Sequence, residues 1–189
     1  LAIIFGLISS ILGIVLNISM IRIFSGDASL SVGQYLKSSI KKFWPYIWVS
    51  ILEGLAVIGG LILLIVPGII FLIWFSFSVY ALVIEDYRGR AALSRSKSLV
   101  KGNFKKVLWR FVFFGIIIFL VYIPFWVLAY LFKNNPPIAG VINLLEQVFN
   151  YLFIWPFCTA YMTGLFLNLS ALARNRTSIT NSASSRPVR

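Results

Sequence analysis

Of the 189 residues, 60% are hydrophobic and 12% are charged, against about 25% charged in soluble domains, so a water-soluble fold would have too little polar surface to present. The net charge of +12 could suggest nucleic acid as a partner, but the basic residues stand between long apolar runs rather than along a soluble face, which argues against it. With no histidine and one cysteine, Cys158, the usual general base, an intrachain disulfide and a thiolate metal cluster are all excluded.

A membrane-spanning helix needs about 20 mainly apolar residues, because roughly 30 Å of hydrocarbon is crossed at about 1.5 Å per residue. Residues 1–21 form such a run and predict a first span. It lacks the basic start and the Ala-x-Ala site of a signal peptide. Because Leu1 is not a start methionine, a fragment or processed chain is expected. Residues 27–43 are polar and amphipathic, and Trp44 marks an interface where a second span, 44–66, begins.

No charge occurs over 54–84, too long a run for one crossing. Pro67-Gly68 divides it, because proline cannot continue a helix and pushes the preceding residue out of the α region. A third span, 67–84, follows a tight turn. A single kinked helix over 44–84 would run about 60 Å, twice the hydrocarbon thickness.

Residues 89–101 read as a short amphipathic helix at the inner interface. Arg90, Ser94, Lys97 and Lys101 share one face, while Ala92, Ser96 and Leu99 share the other. Gly102 stops it and Asn103 can cap the next helix. Such a helix lies flat, with its basic face toward anionic headgroups and its apolar face in the membrane. The alternative is a docking surface for a cytoplasmic protein or a phosphorylated lipid headgroup.

The fourth span is 107–132, with Pro124 in its outer half; residues 134–137 make a turn. Asn143, Glu146, Gln147 and Asn150 make 138–150 amphipathic, placing it at the outer interface or inside the bundle. A fifth span over 148–173, kinked at Pro156, and a disordered, basic, Ser-rich tail over 174–189 complete the chain.

Sixteen of the seventeen Lys and Arg residues fall in 22–42, 88–110 and 174–189, with Lys133 the exception. Cytoplasmic loops carry the excess of Lys and Arg. Alternating crossings put all three patches on the cytoplasmic side of a cell membrane, and an upstream sixth span would bring both termini there. The expected fold is all-α: a polytopic helical membrane protein of about five transmembrane helices plus one interfacial helix.

Glu53 is the only acidic residue inside a clear span. Such residues face the bundle interior or water. Ala56 and Gly60 share its helical face, so another helix can approach there. Gly6, Ser10, Gly13 and Asn17 form a similar stripe in the first span, and Tyr161, Gly164 and Asn168 a weaker one. Glu53, Asn17 and Ser10 are therefore the candidate intramembrane polar site, read either as a proton or ion relay or, more plainly, as packing. Arg90, Lys97 and Lys101 are the candidate contacts for anionic headgroups or a partner. Glu85 and Asp86 lack the companions a metal site needs and read as helix-end solvation. No Walker loop, nucleophile elbow or zinc spacing occurs. No catalytic residue, metal or cofactor is expected.

One stretch is more specific. Pro67-Gly68-Ile69-Ile70 leads through an aromatic-rich run to Glu85. Ala92-Leu93, Ser96 and Leu99-Val100-Lys101-Gly102-Asn103-Phe104 then follow. This pattern resembles the membrane domain found beside glycerophosphoryl diester phosphodiesterases and related multi-pass bacterial membrane proteins. The likeness is strong over about forty residues. It implies a helical membrane domain of undefined role, since catalysis in that family is attributed to a separate soluble barrel with no counterpart here. The leading expectation is a non-catalytic anchoring, scaffolding or lipid-associated domain; a transporter component using Glu53 comes second and a lipid-processing membrane enzyme last.

Overall fold

The computed structural model describes residues 2–26 and 31–184, which form helices joined by short turns, with no strand among them. The helices are α1 (Ala2–Phe24), α2 (Val32–Leu63), α3 (Ile65–Phe75), α4 (Ser78–Glu85), α5 (Arg90–Lys101), α6 (Phe104–Leu131), α7 (Pro136–Phe149) and α8 (Trp155–Ser184). A π-helical turn over Asn150–Ile154 joins α7 to α8. Two compact units emerge: one holds α1 to α5 with the part of α8 from Ala160 on, the other spans Phe104–Thr159.

In the first unit α2 is the spine, and α1, α3, α4 and α5 all pack on it. It is longer than the sequence suggests. The polar stretch before Trp44 and the apolar stretch after it form one uninterrupted helix that passes through Pro45. At its start Ser31 and Gln34 exchange hydrogen bonds in a capping box, which satisfies two of the amide donors a helix end leaves open.

The expected hairpin forms, but its turn precedes Pro67 by three residues. Leu64 is extended, with φ −170° and ψ 153°, and α3 begins at Ile65. The cause is steric: a helix running through Pro67 would drive the ring into the carbonyl four residues back, that of Leu63, where α2 ends. In the first turn of α3 the same proline costs no hydrogen bond. The two arms meet closely beside the turn. A side chain on Gly68 would lie 2.9 Å from the Leu61 backbone nitrogen, and one on Gly60 would lie 3.0 Å from Gly68 Cα. The small residue expected to admit a neighbouring helix thus admits α3.

The run read as a third span, 67–84, breaks at Ser76–Phe77 into α3 and α4. Ile18 and Ile21 of α1 meet Val83 of α4 in a closed core, with Tyr46, Val79, Tyr80 and Ile84 around them. Ser19 and Ser39 share a buried hydrogen bond of 2.9 Å between α1 and α2. Phe166 of α8 packs on Phe77 and Tyr80, with ring centroids 6.2 and 6.3 Å apart.

In the second unit α6 runs through Pro124 without a break. Asn135 caps α7, whose first residue is Pro136, the position proline favours. Phe125 and Phe149 (5.4 Å) and Phe114 and Phe157 (5.9 Å) hold this unit together. The kink expected at Pro156 is a π-turn. With no amide hydrogen on Pro156, the carbonyl of Leu152 loses its partner, and an inserted residue absorbs the mismatch.

Four helical segments are long and apolar enough to cross a membrane: Gly33–Leu63, Ile65–Glu85, Phe104–Leu131 and Pro136–Arg176. Ser9–Phe24 is a shorter apolar helix. The tail read as disordered from 174 is helical through Ser184, and residues 185–189 lie outside the described residues. A tertiary contact that composition does not reveal supports its start: Arg176 Nη2 donates to Asn103 Oδ1 at 3.4 Å.

Candidate functional site

The most organised polar cluster lies where α5 meets the break between α3 and α4. A helix break leaves carbonyls and amides without partners. Here α5 supplies one: Ser96 Oγ donates to the Trp74 carbonyl at 2.6 Å and accepts from the Phe77 amide at 3.1 Å. Ser76 and Ser78 bond back to the carbonyls of Ile73 and Phe75. Both Phe77 and Ser96 are fully buried.

At its other end α4 stops at Asp86, which adopts the left-handed conformation (φ 60°), one that aspartate tolerates better than most residues. Lys42 of α2 closes this helix end. Its Nζ donates to the Val83 carbonyl at 2.8 Å and the Leu82 carbonyl at 3.3 Å, and pairs with Asp86 at 2.6 Å. A cation is favoured where helix carbonyls converge. The reversal at Asp86 and Gly89 returns the chain so that Arg95 faces Glu85 in a two-pronged bond, Nε to Oε2 at 2.6 Å and Nη2 to Oε1 at 2.8 Å. The hydrogen bonds that Arg95 donates to Glu85 raise the pKa of its guanidinium above the ordinary value, partly offset by burial, so the group stays charged. Glu85 is therefore a clamp between α4 and α5 rather than a solvated helix end.

The face of α5 holding Ala92, Ser96 and Leu99 is buried, and α5 packs against α2, α3 and α4. The expectation that this face lies in a membrane is corrected: it lies on protein, because Ser96 answers the backbone groups that the break exposes. Of the three basic residues singled out, Arg90 and Lys101 are exposed. Lys97 instead folds back, its ammonium 4.5 Å from the centre of the Trp74 ring, a cation–π contact.

The Glu53, Asn17 and Ser10 site is brought together only in part. Asn17 and Tyr46 meet through a long hydrogen bond, Tyr46 Oη to Asn17 Oδ1 at 3.4 Å, between α1 and α2. Glu53 lies two turns beyond Tyr46 on α2, half-buried, and makes no hydrogen bond or ion pair among the described residues. The first-span stripe meets α2 through Asn17, but Tyr46 rather than Glu53 receives it.

Sequence reasoning passed over Arg95 and Lys42 and placed Ser96 only on the apolar face of α5, yet these three residues organise this cluster. One signal was available. An acid at 85 and a base at 95 around a Gly89 turn could have been tested as an ion pair. Away from this cluster, an apolar groove is lined by Ile11, Leu12, Val15, Leu36 and Ile40. Among the described residues no three His, Cys, Asp or Glu side chains gather as metal ligands.

No curated protein and no solved structure matches the chain. A domain of unknown function, DUF7847, matches residues 1–169, which is most of its length, and the chain belongs to that family.

Proposed function

We propose that the chain is an integral, multi-pass domain of a cell membrane that anchors or scaffolds, with its basic patches at the cytoplasmic face and its partners the anionic lipid headgroups there. One observation carries this reading. Residues 111–131 of α6 contain neither a charge nor a buried side chain. Trp109, two residues before that stretch, is 72% exposed. Soluble monomers rarely expose apolar patches beyond a few hundred Å², and a helix apolar on every side needs lipid or protein around it.

The basic residues support the cytoplasmic assignment by the excess of Lys and Arg on that side of membranes. Arg90 and Lys101 are exposed at one end of α5 and the other, the disposition that headgroup contact requires. The resemblance over 67–104 points the same way, to a membrane domain without its own active site. In this reading Arg95, Glu85, Ser96 and Lys42 hold the cytoplasmic-side platform rigid and perform no chemistry.

Extraction of membranes at alkaline pH tests the embedding. The protein is expected to stay in the pellet and to be released only by detergent. Release into the carbonate supernatant would overturn the proposal.

A further inference from the structure

We infer that the α2–α3 hairpin is a re-entrant wedge that enters one leaflet, turns at Leu64 near the bilayer midplane and returns to the side it came from. What covers its apolar tip is the acyl chains of that leaflet. The inference rests on the membrane embedding proposed above and adds the depth to which this element reaches.

The composition of the turn comes first. From 54 to 75 no residue carries a charge, hydroxyl or side-chain amide, and the turn itself is included. Its side chains point away from protein: Ile62 is 81%, Leu64 69% and Ile65 71% exposed. A turn that emerges into water has polar residues because water completes its backbone hydrogen bonding. Here the protein completes much of it. The Leu64 amide donates to the Gly60 carbonyl at 3.1 Å, the Gly68 amide donates to the Leu64 carbonyl at 3.2 Å, and Pro67 has no amide hydrogen to satisfy. Internal satisfaction of this kind is what hydrocarbon demands. The glycine contact of Gly60 with Gly68 keeps the tip thin.

The depth follows from two markers. On α3 the Lys97 ammonium rests on the Trp74 ring, and both a lysine charge and a tryptophan belong at the headgroup boundary. Leu64 lies ten residues before Trp74, about 15 Å along a helix. On α2 the last charged residue is Glu53, eleven residues before Leu64, or about 16 Å. The two arms agree on a reach of about half the roughly 30 Å of hydrocarbon.

The position of α5 supports the same level. Ser96 binds it to the Trp74 carbonyl and the Phe77 amide, and its twelve residues include Arg90, Arg95, Lys97 and Lys101. A hairpin crossing completely would carry this basic helix down into hydrocarbon, where such residues are expensive. A re-entrant hairpin leaves it among the headgroups. The basic patches at 22–42 and 88–110 share one side in either case, since a wedge and a full hairpin return alike; the crossings fall by two.

Nitroxide depth measurement tests this on full-length protein reconstituted in vesicles, with Cys158→Ala as background. Labels are placed singly at Leu55→Cys, Leu64→Cys, Leu72→Cys and Arg90→Cys, with Ile116→Cys on α6 as reference, in variants that melt like the background. Collision with oxygen relative to a water-soluble nickel chelate is expected to be highest at 64, lower at 55 and 72, and lowest at 90. A water-accessible label at 64 with deep labels at 55 and 72 means a full crossing, and any other order likewise overturns the wedge. If the label at 116 is also water-accessible, the membrane embedding itself fails; if 116 is deep while 64 is wet, only the wedge fails.

Discussion

The Ser96 hydroxyl bonds the Trp74 carbonyl at 2.6 Å across 22 residues of sequence. This contact, with the bond it accepts from Phe77, explains how a helix can break inside an apolar run. The break between α3 and α4 exposes backbone groups in a closed setting, and Ser96 answers one acceptor and one donor at once.

Ser96→Ala is therefore expected to destabilise the first unit by about 1–3 kcal/mol, the cost of leaving buried groups unsatisfied. Ser98→Ala supplies the comparison, because Ser98 is exposed and bonds only the Arg95 carbonyl in its own helix; it should change stability by less than about 0.5 kcal/mol. Thermal or denaturant unfolding in detergent measures both. Equal effects would mean that α5 is not seated by Ser96.

The Glu85–Arg95 clamp predicts a second outcome. Lysine cannot reproduce the two parallel bonds of a guanidinium, so Arg95→Lys should lose most of the pairing, as should Glu85→Gln. Both side chains are partly exposed, at 25% for Arg95 and 17% for Glu85. Solvent and salt therefore hold the coupling in a double-mutant cycle to about 1 kcal/mol. The pairing raises the Arg95 pKa. A raised folded-state pKa gives stability that is complete below the unfolded value and fades only as pH rises through the folded one. The unfolded value is the ordinary arginine one and the folded value lies higher still, so alkaline titration up to about pH 10 should leave the Arg95 contribution intact. Coupling that vanishes between pH 7 and that limit would contradict the assignment.

How much of this was legible in the sequence depends on how far apart the deciding residues lie. The hairpin was legible because Pro67-Gly68 interrupts a charge-free run that is too long for one helix. Its turn was misplaced by three residues, because proline acts on the carbonyl four residues back and sits comfortably in a first helical turn. The length of α2 was not legible: the helix begins at Val32, in the polar stretch before Trp44, and continues through Pro45. The break at Ser76–Phe77 was illegible: the hydroxyl that satisfies its exposed backbone groups, Ser96, arrives from the next helix. Arg95 was overlooked for the same reason, as its partner Glu85 comes within reach only after the left-handed turn at Asp86.

The close approach of the hairpin arms makes glycine at 68 a third test. An added Cβ there would meet the Leu61 backbone nitrogen at 2.9 Å, whereas one on Gly54 meets nothing within 4 Å. Gly68→Ala should force the arms apart and cost about 1–3 kcal/mol, as overpacking does. Gly54→Ala, in the same pair of helices, should be neutral or stabilising, because alanine restricts the unfolded chain and favours helix. The melting temperatures of the two variants should therefore move in opposite directions, or at least separate clearly. A harmless Gly68→Ala would mean that the arms do not touch at the tip.

The last test concerns charge on α5. Arg90 and Lys101 are exposed, whereas Arg95 is held by Glu85 and Lys97 lies on Trp74, so the first two are the ones available to headgroups. Each basic residue near an anionic surface contributes about 1 kcal/mol. Removing both with Arg90→Gln and Lys101→Gln should weaken retention of anionic lipid by about 2 kcal/mol, roughly thirtyfold. Lys133→Gln, which removes a charge resting on Tyr130 in the second unit, is the control and should change retention little. Mass spectrometry of lipids that survive purification, with exchange against zwitterionic lipid, reads the difference. High salt should shrink it, because exposed charges separated by more than about 10 Å are screened at about 0.1 M. Loss of anionic lipid with Lys133→Gln but not with the double variant would move the headgroup contact off α5.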